Sequence, residues 1–144
     1  MLARITVALL VVVSLSGFRD VSADLPDFVT PEIIEMVHDD KIRCMDKFGT
    51  DQGMIDQVNT GTILNDPKLT CYMHCLFESF GVIDEDSGDF EYEMLLGFFP
   101  DDIQAQGRDI LSSCAEQDGA DLCDKVYKIA TCIQAKAPTM WFML

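Results

Sequence analysis

Six cysteines, at positions 44, 71, 75, 114, 123 and 132, are the residues of this 144-residue chain whose type and number could do chemistry. An even set in a short chain reads as disulfides in an oxidising compartment and as metal-binding or redox chemistry in a reducing one. No zinc-like cysteine pair, Gly-rich phosphate loop, His-Glu-x-x-His or Gly-x-Ser-x-Gly element accompanies them. His38 and His74 stand in no context that marks a catalytic base. Asp84-x-Asp86-x-Gly88-Asp89 resembles a calcium loop in outline only: it lacks Asp or Asn at the fifth position, Gly at the sixth and Glu at the twelfth. It reads as a solvated acidic turn. The expectation is a protein that is not an enzyme, with no metal and no cofactor.

The amino-terminal segment decides the compartment. Arg4 precedes an apolar run from Ile5 to Leu15, and Val21-Ser22-Ala23 places small residues before Asp24. That order is a secretory signal peptide over residues 1–23, cleaved to leave Asp24–Leu144. The run is too short to span a bilayer, and no later stretch reaches 18 apolar residues, so stable membrane insertion is not expected. All six cysteines survive cleavage, which makes them readable as a disulfide framework.

Asp and Glu number 25 against 10 Lys and Arg, a formal charge of -15, while 49% of the residues are hydrophobic. The charge argues against nucleic acid, whose phosphates need a basic surface. The apolar content excludes a disordered acidic chain, and the length indicates one domain.

The elements that must position the cysteines read as helices throughout, an all-α fold. Thr30-Pro31-Glu32 is a capped start, followed by Ile34, Val37, Lys41, Cys44 and Phe48 at three- and four-residue spacing up to Gly49. Met54, Ile55 and Val58 share a face within 51–59. Asp66-Pro67 repeats the capped start, and Leu69, Met73, Leu76, Phe77 and Phe80 form a stripe closed by Gly81. Further helices are expected over 90–99, 100–113 and 121–135, with Gly107 a weak point in the fifth. Pro138 then separates an apolar end, Met140-Trp-Phe-Met-Leu144.

Helical geometry narrows the bridges without choosing them. Cys71 and Cys75 lie on one face and should reach outward rather than bond together. Cys123 and Cys132 lie on opposite sides of the last helix, roughly 13 Å apart along its axis. A cross-linked helical shell can tolerate a void that a solid core would not, and Met and Phe suit an adaptable apolar wall. Two readings remain at this point, a solid helical core and a shell around a ligand pocket.

The pattern Cys44-x26-Cys71-x3-Cys75-x38-Cys114-x8-Cys123-x8-Cys132, with the helices and the leader, closely resembles the insect odorant-binding and pheromone-binding protein family. The resemblance covers essentially all of Asp24–Leu144. Asp40-Lys-Ile-Arg-Cys-Met45, Cys71-Tyr-Met-His-Cys-Leu-Phe77 and Ala137-Pro-Thr-Met-Trp-Phe-Met-Leu144 look most like the antennal pheromone-binding proteins of bees and other Hymenoptera. The resemblance implies six helices around an internal hydrophobic cavity, with bridges Cys44–Cys75, Cys71–Cys123 and Cys114–Cys132. It implies a secreted, extracellular carrier of small hydrophobic semiochemicals in antennal sensillum lymph. Such a carrier would deliver odorants or pheromones toward olfactory receptors, with pH-dependent release, as a monomer or weak homodimer. The alternatives are a non-olfactory secreted carrier of lipids or other hydrophobic ligands, and a helical interaction protein without a cavity.

The apolar end is expected to be inserted, since burying each such side chain is worth roughly 1.5–3 kcal/mol. In the resembled family such a tail packs on or in the pocket. The expected wall is Met73, Leu76, Phe77, Leu95, Phe98, Ile110, Leu111, Val126, Ile129, Trp141 and Phe142. A polar anchor for a ligand could come from Tyr72 or Tyr127. Tyr72 also matches a tyrosine that holds the terminal carboxylate in some relatives. A latch of Lys41, Tyr72 and Leu144 is therefore expected, opened by protonation.

Overall fold

The computed structural model describes residues 25–144; the expected leader, residues 1–23, lies outside them. Four helices begin at the polar residues that cap them. α1 (Pro31–Phe48) starts at Thr30, whose hydroxyl accepts from the Ile33 N–H, and ends at Gly49 in the left-handed region at φ 66°. α2 (Gln52–Asn59) is capped by Asp51, whose carboxylate accepts from the Met54 N–H at 3.0 Å. α3 (Pro67–Ser79) is capped by Asp66, accepting from the Lys68 N–H at 2.8 Å. After α4 (Tyr92–Leu96) and α5 (Asp101–Ala115), α6 (Leu122–Lys136) is capped by Asp121 through the Asp124 N–H at 2.8 Å. Each such cap typically contributes about 1 kcal/mol and sets where its helix begins.

The fourth helix is shorter than its sequence pattern suggests. Phe90 pairs with Ile83 in an isolated antiparallel bridge, and the Glu91 N–H donates to the Val82 carbonyl at 2.8 Å. The acidic segment 84–89 is the tip of that small hairpin. There the Asp84 carboxylate accepts from the Ser87 and Asp86 N–H groups, which holds its carboxyl below the usual range. Backbone pairing thus claims residues whose apolar spacing alone reads as helix. At the other end Gly97, Phe98 and Phe99 turn the chain into Pro100.

α3 lies at the centre, packed against α1 on one side and α6 on another, while α5 packs on α4 and α6. Leu69, Tyr72 and Met73 of α3 and Val126, Ile129 and Ala130 of α6 are fully buried. Disulfides join the same helices: Cys44–Cys75 ties α1 to α3, Cys71–Cys123 ties α3 to α6, and Cys114–Cys132 ties α5 to α6. Arg43 adds a polar tie from α1 to α3, donating to the Ser79 hydroxyl and the Asp40 carboxylate, each at 2.6 Å.

Candidate functional site

An apolar pocket of about 140 Å³ opens between the helices and the carboxyl-terminal tail. α1 contributes Ile33, Met36 and Val37; α3 contributes Leu76 and Phe77, followed by Phe80 and Val82 just beyond it. Leu95 and Leu96 of α4, then Phe98 and Phe99, form a second side, with Ile103, Gly107, Ile110 and Leu111 of α5 behind them. Ile133 of α6 and the tail, from Ala137 through Met140 to Leu144, complete it, with Phe28 from the amino-terminal segment. Met36 is 47% exposed, which puts it at the rim. None of these side chains ionises. A cavity of roughly this size lined by Leu, Ile and Phe stays dry and holds benzene. The pocket therefore fits an uncharged apolar molecule about the size of benzene, and larger ones only as Met, Phe or tail side chains give way.

The helix faces explain why the expected wall divides. Leu76, Phe77, Leu95, Phe98, Ile110, Leu111, Trp141 and Phe142 line the pocket. Met73, Val126 and Ile129 do not; they are 0% exposed and belong to the solid core. Met73 shares a helix with Leu76 but belongs to the buried seam, so the wall is formed without it. Tyr72 and Tyr127 do not line the pocket either. Gly107, a weak point by propensity, has a packing reason: a Cβ there would meet Leu96 Cδ2 at 3.2 Å, and Met140 also approaches.

Three sets of contacts hold the tail. The Tyr72 hydroxyl donates to the Leu144 oxygen. The Asn59 side chain meets the Met143 backbone twice: its Nδ2 donates to the carbonyl at 2.8 Å, and its Oδ1 accepts from the N–H at 2.7 Å. Phe142 completes an edge-on aromatic triad with Phe28 and Phe99, ring centroids 5.3–5.9 Å apart. Phe28, Phe99 and Asn59 carry no sequence signal for this role. The two phenylalanines fall outside the apolar stripes, and Asn59 reads as part of a helix stop. Only the 84-residue separation of Asn59 from Met143, closed by the fold, makes it a partner of the tail.

Lys41 does not pair with Leu144 among the described residues. It sits half-buried on α1, where burial lowers its pKa and the Asp56 carboxylate of α2 partly offsets that. His74 faces Glu78 one turn on, at 3.2 Å, and His38 lies beside a shallow surface depression with Glu35 and Asp39. The Trp141 indole N–H is buried without a hydrogen-bond partner among the described residues.

Burial pushes the Tyr72 hydroxyl well above tyrosine's ordinary pKa of 10.0, so it stays a neutral donor. The folded state holds this proton to higher pH than the unfolded state. Its contribution to stability is complete below about pH 10 and is lost as the pH climbs further. Tyr72→Phe is expected to cost about 1–3 kcal/mol at pH 7, because it leaves the Leu144 oxygen without its donor. It should also flatten the alkaline decline, read from urea midpoints at pH 7 and above pH 10.

Residues 27–136 match the PBP/GOBP family. General odorant-binding protein 69a of Drosophila melanogaster is 33% identical over 105 residues, 72% of this chain and 70% of that protein. Among solved structures, odorant binding protein 5 of Apis mellifera superposes with a TM-score of 0.69 at 19% identity, covering 78% of this chain and 95% of that one. Odorant Binding Protein 7 of Anopheles gambiae, solved in complex with an azo compound, gives 0.67 at 24% identity, covering 75% and 88%. These relatives span a fly, a bee and a mosquito, so the similarity is to the insect family at large.

Proposed function

The chain belongs to the PBP/GOBP family of insect odorant- and pheromone-binding proteins, and we propose that it is a secreted carrier of small hydrophobic odorants or pheromones. It is a carrier and not an enzyme. The observation that carries this reading is the uncharged apolar pocket, walled in part by the tail, in a helical body that three disulfides hold. We read the pocket as an internal binding cavity and the extracellular sensillum lymph as its setting, on the strength of the disulfides and the leader-like residues 1–23. The stretches around Cys44 and Cys71 and the end at Leu144 favour a hymenopteran-type member. A monomer or weak dimer meeting olfactory receptors completes the reading.

Release would proceed by opening the tail. Neither Tyr72 nor Asn59 changes charge between pH 5 and 7. An acid-driven release must therefore begin at another group, such as the Leu144 carboxylate, a histidine or another carboxylate.

The test is a panel of uncharged esters, ketones and alcohols with up to twelve non-hydrogen atoms, titrated by calorimetry. Methyl benzoate is the reference, an uncharged aromatic ester somewhat larger than benzene for which Met, Phe and tail side chains can make room. A Kd of about 10 µM is expected for the best-fitting members, within the efficiency available to ligands of this size. Absence of binding across the panel below millimolar concentration would overturn the carrier reading.

A further inference from the structure

We propose that Asn59 is a positioning residue for the pocket, holding the tail wall closed through an uncharged two-point clamp on the backbone of Met143. The proposal rests on the carrier reading for its consequence in binding, although the clamp itself is read from the tail. Asn59 does not line the pocket; the residues it holds do. Its side chain presents a donor and an acceptor in one plane, and both find their complement on a single residue at 2.8 and 2.7 Å. The pairing resembles one rung of a strand ladder, made by a side chain. An aspartate would turn an acceptor toward the Met143 carbonyl, and a serine is too short to reach both groups.

The base of the clamp is rigid and its grip is local. Ile55 and Val58, on the same short helix, are 0% exposed and fix α2 to the core. Asn59 is the last residue of α2, and the Thr60 N–H turns back to the Asp56 and Gln57 carbonyls at 3.1 and 3.2 Å. On the other side Met143 as a whole residue is 3% exposed, so its backbone polar groups have little access to water and need these partners. The two residues before Met143 are Trp141 and Phe142, both in the pocket wall. Anchoring Met143 therefore fixes where the wall stands. Tyr72 holds the next residue and the aromatic triad the previous one, which makes the three contacts successive along the tail.

Trp141 is the chain's one tryptophan and reports the tail directly. In Asn59→Ala and Asn59→Asp, without ligand, acrylamide quenching of Trp141 should rise several-fold and its emission move to the red, with far-UV circular dichroism unchanged. Two lost hydrogen bonds should weaken methyl benzoate binding about tenfold. Met143→Pro removes the N–H that Asn59 Oδ1 accepts without touching α2, and serves if the Asn59 variants fail to fold, read against Met143→Ala because Met143 also lines the pocket. The double variant Asn59→Ala/Met143→Pro should lose less than the sum of the two singles, since the bond from the Met143 N–H to Asn59 Oδ1 is removed by both. Folded variants with wild-type quenching and wild-type affinity would overturn the proposal, as would a mere fall in melting temperature with the tail still closed. If the wild-type protein binds no methyl benzoate, the carrier reading for that ligand size fails, and Trp141 quenching alone still decides the clamp.

Discussion

Replacing Cys71 and Cys123 together with serine is expected to destabilise the protein by about 4 kcal/mol, the chain-entropy value for closing a loop of this length. The bridge spans 52 residues, against 31 for Cys44–Cys75 and 18 for Cys114–Cys132. It also joins the two helices whose packing forms the centre of the core, so its loss frees α3 and α6 from each other in the unfolded chain. The same argument gives about 3 kcal/mol for Cys114→Ser with Cys132→Ser. Urea unfolding of the two double variants checks the order. A smaller loss for the 52-residue bridge than for the 18-residue one would show that loop entropy is not what this bridge supplies. Function should follow stability here: Leu76 and Phe77 reach the pocket from α3 and Ile133 reaches it from α6, so loosening that pair moves two parts of the wall.

Deleting Trp141–Leu144 is expected to weaken methyl benzoate binding roughly 50-fold while leaving the six helices in place. The deletion removes four residues of the lining, together with the partners of Tyr72 and Asn59. Re-exposing ligand surface worth about three methylene groups costs about 2.4 kcal/mol, which is the stated factor. The helices should persist, because their side-chain caps, the three disulfides and all of the buried core except Ala137 and Met143 lie before residue 137. Calorimetry at pH 7 and pH 5 separates wall from switch. If the deletion lowers affinity equally at both, the tail is a wall only; if it also abolishes a pH difference, the tail carries the release. Unchanged affinity at both values would remove the tail from either role.

The elements legible in the sequence are those set by neighbours in the chain. Thr30 and Asp66, legible as caps, and Asp51 and Asp121, at the limits of the expected helices, accept hydrogen bonds from residues two or three positions away, so a helix start is built by its own neighbours. The segment around Phe90 reads less well because its partner is Val82–Ile83, across an intervening turn. The wall residues show the same limit on a larger scale. Met73 and Leu76 are both apolar, both buried and one turn apart, and no local signal separates the one in the core from the one at the pocket. Lys41 illustrates the converse: a cation one turn from Cys44 looked available to the tail, yet α2 supplies its charged neighbour, Asp56.

The sequence by itself determined six cysteines in a helical framework, an acidic exterior and an apolar end that had to be covered. Helix periodicity, capping chemistry and the cost of exposing Trp and Phe to water are enough for that, since each acts over a few residues. Tertiary structure alone decided which apolar side chains face empty space and which polar groups hold the tail. Those properties belong to surfaces brought together from opposite ends of the chain, as Asn59 meets Met143 and Phe28 meets Phe142. Burial is a demand that a single helix can express; the identity of what it is buried against is supplied only when the helices pack.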